Sequence, residues 1–409
     1  MTTGSGSLLA LPASEKSLNR LFLGDGLSVT TAQLVGLAIP TYALLTVKLD
    51  AQYVSLLNIA QWLPALLFSG IVGGWVHRHQ RKTLLGLAGV VSAGALLCMP
   101  VTGIVASNTA KFAVLLTVAI LFAFGELMFS IASVASVPQM VKAVTVAEAI
   151  SVQTAIRNVS RVVSLGLAGP LTQSVGAVVS LALAAAISLI RSAVVSKIEC
   201  PPVASDLPHR SATSWSAMLE NPLQRRLAIA TTTIAIGSAV LLGSFFAFCY
   251  KVLSIRPFDV GFVLFVGGCF SVGSAYFAKS LVKKVALPRL CAAGGITACA
   301  AMWLMPLSAT SAYPVTALAL YEAIFSSAAT IFAVSFGILR QELVRSDMLG
   351  QMASMYATLQ AVALISGSVI AAWIIGSATV TWAVLFGCGV CAIGSICLLV
   401  LPERGPVPS

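Results

Sequence analysis

The sequence predicts an all-α polytopic membrane protein, with twelve transmembrane helices in two pseudo-symmetric six-helix bundles. Three observations carry that expectation. Of 409 residues, 58% are hydrophobic and only 9% charged, and the mean hydropathy is +0.98; a soluble chain carries roughly 25% charged residues. The apolar runs are long and continuous, close to the about 20 residues a membrane helix needs, whereas a membrane β-barrel would show short alternating strands. The second half of the chain also repeats features of the first. The composition excludes a water-soluble globule, a disordered chain and a nucleic-acid-binding module. The net charge of +11 therefore reads as a topology signature of the loops.

Apolar runs bounded by polar or charged residues place the spans in order. They are expected at residues 20–46, 53–76, 84–106, 112–137, 150–175 and 178–195. A polar, Pro-containing stretch, 196–226, follows. Six further spans are expected at 227–250, 260–277, 290–307, 315–339, 352–375 and 382–401. The division is thus a bundle over 1–195, a cytoplasmic linker over 196–226 and a bundle over 227–409. One set of loops, with Arg191 counted in it, holds 18 Lys and Arg residues, against 4 in the opposite set. Cytoplasmic loops carry the excess of Lys and Arg, so both termini and the linker are expected in the cytoplasm of a cell (inner or plasma) membrane protein. The first 19 residues lack the apolar core of a signal peptide, so insertion is expected to begin with the first span.

The halves repeat in parallel. Val137-Pro-Gln-Met-Val-Lys142 follows span 4, and Leu339-Arg-Gln-Glu-Leu-Val344 follows span 10, an offset of 202 residues. A basic cluster follows the second span of each half, His77-Arg-His-Gln-Arg-Lys82 and Lys279-Ser-Leu-Val-Lys-Lys284. Such repeats place a substrate cavity between two bundles, near the bilayer midplane.

Charge inside hydrocarbon costs roughly 2.5–3.5 kcal/mol per residue on insertion scales and marks function or pairing. Five charged residues lie well inside spans: Asp25, Glu126, Arg157, Arg161 and Glu322. Glu126, Ser130 and Ser133 share one face of span 4, and Gln153, Arg157 and Arg161 share one face of span 5. A pair between Glu126 and Arg157 or Arg161 is expected, read either as a proton or substrate-charge site or as a structural ion pair. Glu322 has no basic residue of the second half at its depth, which makes it the proton-carrier candidate; a wall residue of the cavity is the other reading. Asp25, near the inner end of span 1, reads as a functional carboxylate or as an interfacial group meeting water or Arg20. Candidate cavity residues are Gln33, Asn58, Gln61, Trp62, Phe129, Gln153, Phe245, Tyr321, Phe325, Met355, Tyr356 and Gln360. Aromatic and Met side chains suit varied apolar ligands, and the amides add hydrogen bonds. The nine cysteines show no zinc-ligand spacing, and Cys388-x-x-Cys391 reads as packing. No metal site and no cofactor are expected.

Four stretches in order resemble the major facilitator superfamily, and within it the twelve-span drug:proton antiporters of the macrolide-efflux and enterobactin-exporter type. Leu23-Gly24-Asp25 through Ala38-Ile39-Pro40 is similar to that group's opening helix. Gly73-Gly74-Trp-Val-His77-Arg78-His-Gln-Arg81-Lys82 resembles the superfamily's G-x-x-x-D-R-x-G-R-K loop, with His77 and Gln80 replacing Asp and Gly. Ala147-Glu-Ala through Gln153, Arg157 and Gly169 resembles the fifth helix, with Ser164-Leu165 where the antiporter signature has Gly-Pro. Val344-Arg-Ser-Asp347-Met-Leu-Gly350 resembles the turn before span 11. The resemblance covers nearly the whole chain. It implies a major facilitator fold and proton-coupled efflux of an amphipathic small molecule (a drug, antibiotic or secondary metabolite) by alternating access. It also implies a cytoplasmic gating loop formed by Gly73, Gly74, His77, Arg78, Arg81 and Lys82.

Two alternatives stand beside efflux: the same carrier importing or working without protons, and a non-transporting receptor on a transporter-like fold. The sequence has no H-E-x-x-H, G-x-S-x-G or phosphate-binding G-x-x-x-x-G-K-[ST] motif, so neither an enzyme nor an ATP-driven pump is expected. The expected partners are the lipid bilayer, a small-molecule substrate and protons as coupling ion, with no nucleic acid, and the chain is expected to act as a monomer.

Overall fold

The computed structural model describes residues 13–78, 81–140, 146–198, 222–342 and 349–399. The described residues form twelve long helices and no strand. In the first half these are α1 (Ala13–Thr41), α2 (Ala51–Leu57 and, past Asn58, Ile59–Arg78), α3 (Arg81–Leu97), α4 (Asn108–Met140), α5 (Val146–Val175) and α6 (Ala177–Val195). In the second they are α7 (Pro222–Ala247), α8 (Pro257–Lys284), α9 (Leu287–Met302), α10 (Pro314–Glu342), α11 (Leu349–Ser377) and α12 (Val380–Leu399). Each expected span falls on one of them. Pro40, Pro64 and Pro170 lie inside helices, as membrane helices tolerate when their neighbours satisfy the freed backbone groups. Among the described residues eleven helices are long and apolar enough to cross a membrane. The twelfth, α5, carries Gln153, Arg157, Asn158 and Arg161 along its middle, and these lower its apolar content.

The packing repeats every six helices. α1 packs on α4, α5 and α6, α2 on α4, and α3 on α4 and α6. In the second half α7 packs on α11 and α12, α8 on α10, and α9 on α10 and α12. Between the halves, α5 lies against α8 and α2 against α11, two contacts that exchange under the same six-helix shift. This is the two-bundle, pseudo-twofold arrangement that the repeated loops suggested.

The first helix of each bundle ends in the same device. A π-turn closes α1 over Tyr42–Thr46 and α7 over Phe248–Val252, 206 residues on. Each is followed by a non-glycine residue at positive φ, Lys48 (58°) and Ser254 (53°). The backbone bonds match as well: Leu49 N donates to Ala43 O and Ile255 N to Cys249 O. Non-glycine residues adopt this region rarely, so its recurrence at equivalent positions marks a turn that both halves require.

At this end, away from the basic loops, the halves are joined. The Thr41 and Tyr250 hydroxyls lie 2.7 Å apart, and Ser55 Oγ donates to the Gly243 carbonyl (2.8 Å). Gln173 Oε1 accepts from the Phe258 N–H (3.0 Å), so a side chain of one bundle caps the start of α8 in the other. Close approach of α5 and α8 requires glycine. A Cβ on Gly169 would stand 2.8 Å from the Gly261 Cα and 3.0 Å from the Phe258 carbonyl oxygen, both backbone atoms that cannot turn away. Gly169→Val is therefore expected to pry the bundles apart here. Thiol labelling of a Thr41→Cys reporter should rise in that background; unchanged labelling would show that the contact does not hold the end shut.

Candidate functional site

The best-connected charge in the first bundle is Glu126 on α4. Its carboxylate accepts from Ser28 Oγ of α1 (2.5 Å), Ser92 Oγ of α3 (3.0 Å) and Arg191 of α6 (2.7 Å to Oε1). Arg191 has no exposed surface, also donates to Ser92 Oγ (3.2 Å), and lies over the Phe129 ring at 4.6 Å. Four helices thus meet at one ion pair. This corrects two sequence expectations. The partner of Glu126 is neither Arg157 nor Arg161, and Arg191, counted with the basic loops, is a core residue. The signal for it was present: Ala177, Leu181, Ala184, Ser188, Arg191 and Val195 form the buried stripe of α6 at helical spacing. Without Arg191 the loop bias is 17 to 4, still decisive.

One turn toward the basic end, Asp25 is 1% exposed. Its Oδ2 accepts from Gln153 Nε2 of α5 (2.7 Å) and Ser133 Oγ of α4 (2.9 Å), which are themselves 3.0 Å apart. Asp25 is therefore a buried hub of three helices rather than an interfacial group, and Arg20 instead donates to the Lys197 carbonyl (2.5 Å).

Above this polar core lies a cavity of about 320 Å³ between α1, α2 and α4, with Phe246 of α7 on its wall. That volume is at the small end of ligand pockets. Of the expected lining residues, Asn58, Gln61 and Trp62 are on it, as is Glu126; Gln61 Nε2 donates to Asn58 Oδ1 (3.2 Å). Gln33 and Gln360 are not on its wall. Phe129 and Gln153 are corrected to core positions, the one beneath Arg191, the other on Asp25. Phe245 is buried edge-on against Phe246. Met355 is 1% exposed inside the second bundle, and Tyr356 packs on Phe336 and donates toward the Gln224 carbonyl (3.4 Å); both belong to that bundle's core.

Glu322, on α10, is half-buried. Its side chain packs against Gly267 of α8, and Ser326 Oγ donates to Oε1 (3.3 Å). Tyr321 and Phe325 stack beside it, ring centroids 5.7 Å apart. Although no basic residue of its own half lies near, the charge of Arg161 on α5 reaches it across the bundle boundary. Glu322 forms no ion pair among the described residues. In the gating loop, Gly73 and Gly74 are part of α2, Lys82 is exposed, and Arg81 is 5% exposed and donates to the Ala135 carbonyl of α4 (2.8 Å). The side chains of His77 and Arg78 lie outside the described residues. Cys388 and Cys391 are free and fully buried, their thiols against the Met302 and Ile234 carbonyls.

Two bundles in pseudo-twofold relation, with embedded charges and a small cavity that one of them, Glu126, lines, define a polytopic membrane carrier. The chain belongs to the Major Facilitator Superfamily, which matches residues 21–367. Among curated proteins none matches. Similar solved structures include the nucleoside transporter NupG (D323A mutant; TM-score 0.77, 11% identity, 94% of this chain and 99% of that one). A bacterial homologue of the iron transporter ferroportin, in an inward-facing state, gives a TM-score of 0.76 at 14% identity over 96% and 99%. The peptide transporter POT, in complex with sulfate, gives 0.74 at 14% over 98% and 95%. At such identities the likeness is one of fold. The protein is a multi-pass membrane transporter and not an enzyme.

Proposed function

We propose that the chain is a proton-coupled exporter of an amphipathic small molecule, working by alternating access as a monomer in the cell membrane. The observation that supports this most is the placement of Glu126, a carboxylate held by Ser28, Ser92 and Arg191 yet open to an otherwise mainly apolar cavity. An apolar wall with few polar groups suits an amphipathic ligand. A charge network that joins α1, α3, α4 and α6 would move with the bundle as it rocks. The joined end away from the basic loops agrees with a carrier resting closed to the outside, with bundles over 1–195 and 227–409 and the linker 196–226 in the cytoplasm. Arg81, anchored to α4, would act with Gly73, Gly74, His77, Arg78 and Lys82 as the inner gate.

Inverted vesicles test the function. Accumulation of substrate-like dyes or antibiotics should require an imposed proton gradient; uptake that ignores the gradient favours an uncoupled carrier, and binding without accumulation favours a receptor. Topology has its own test. A maleimide that cannot cross the membrane should label Ser311→Cys from outside whole cells and Lys197→Cys only after lysis; the reverse pattern inverts the orientation.

A further inference from the structure

The network around Glu126 leaves two embedded cations unused. Arg157 is half-buried and Arg161 exposed, both in the middle of α5. Neither donates a hydrogen bond nor forms an ion pair among the described residues, although Arg157 acts on Asp25 and Arg161 on Glu322 at longer range. The six embedded charges balance in sign, but their hydrogen bonds do not. Glu126 and Asp25 have two or more donors each, while the five N–H donors of each of these guanidiniums are unspent.

Helix geometry shows where they point. Gln153 and Ser164 contact α1 through Asp25 and Thr30, and Gly26 faces Ser160. Val162, Leu165 and Gly169 face α8. The lipid side is given by Val159, Val163 and Leu167, which are 59%, 52% and 60% exposed. At 100° per residue, Arg157 and Arg161 project between the α1 and α8 contacts, about 120° and 160° round the helix from the middle of that apolar stripe. They therefore face the space between the bundles. An unpaired guanidinium at this depth is tolerated only in water or against a partner. Two of them at i and i+4, with Cβ atoms about 5–6 Å apart, are close enough for both guanidiniums to reach one oxyanion.

The geometry points to an anion subsite on α5, in which Arg157 and Arg161 bind the carboxylate or phosphate of the transported molecule. This rests on the transporter reading above and narrows the substrate class to amphipathic anions. It does not depend on the direction of transport or on protons.

The test is binding to the full chain in phosphatidylcholine nanodiscs, read by thermal stabilisation against ligand concentration. The probes are 2-naphthoate and its cationic counterpart, 2-naphthylmethylammonium. Naphthoate is expected to stabilise and the ammonium not. Losing one charge-assisted contact in Arg161→Gln, a change at an exposed side chain, should weaken naphthoate by about tenfold to a hundredfold. Arg157→Lys, which keeps the charge but not the fork, should weaken it less. Each variant's melting without ligand shows whether it folds. Equal stabilisation by the ammonium, or unaltered naphthoate affinity in Arg161→Gln, overturns the proposal. So does stabilisation that appears only with phosphatidylglycerol present and to which naphthoate adds nothing, because the arginines then hold a lipid headgroup. If naphthoate binds as expected but vesicles show no gradient-driven export, the subsite stands and the exporter reading fails.

Discussion

Arg191→Met is expected to destabilise the protein by about 3–5 kcal/mol, the cost of leaving one member of a buried pair alone. Arg191 has no exposed surface, and it is the only cation on Glu126 among the described residues. Methionine replaces the aliphatic stem but not the guanidinium, so part of the loss comes from the space left over Phe129. What remains is a carboxylate facing Ser28 and Ser92 without its charge partner. Glu126→Gln in the same chain should recover most of the stability, since two neutral residues of similar volume can replace a buried pair at little cost. Thermal and denaturant unfolding of the purified single and double variants measures this. If the double variant is no more stable than Arg191→Met alone, the damage is one of packing against Phe129, not of charge.

Why the sequence led to the fold but not to this pair is a matter of physical range. Spans, loop charges and the repeat are local or additive signals: hydropathy sums over some twenty residues, and a Lys/Arg excess sums over loops. Most helix ends accordingly lie within about five residues of expectation, although α1 starts seven residues early, α8 ends seven late and α3 ends nine early. Pairing is different. Glu126 and Arg191 are 65 residues apart, and the face of α6 that meets α4 is set by packing that one sequence does not display. Depth alone suggested Arg157 and Arg161, which lie on a helix in only slight contact with α4. The Asp25 hub is half legible: Ser133 and Gln153 each stand on a polar face, but their convergence on Asp25 requires α1 to be placed between α4 and α5. Asn58, Gln61 and Trp62 were found at the cavity because amides and a Trp in an apolar span stand out by composition. Met355 and Tyr356 looked the same by composition and proved to be core, because exposure to a cavity and burial in a bundle use the same side chains.

The second large effect is expected at Glu322. Glu322→Gln should abolish substrate accumulation driven by a proton gradient while leaving ligand binding and downhill exchange largely intact. Of the three embedded carboxylates it is the least committed. Glu126 has three donors, one of them the cation Arg191, and Asp25 is 1% exposed with two donors. Glu322 has one long bond from Ser326 and is half-buried on α10, against Gly267 of α8. A group that loads and releases a proton must be reached from both faces in turn, and a half-buried carboxylate with one long bond meets that requirement better than one tied down by two or three donors. Glutamine keeps the volume against Gly267 and can still pair with Ser326, so a folding defect is not expected. Paired assays in proteoliposomes, with and without an imposed gradient, separate the outcomes. Normal gradient-driven pumping by Glu322→Gln would reduce Glu322 to a wall residue and move the coupling question to Glu126. Loss of exchange together with pumping would instead mark it as a group the substrate itself contacts.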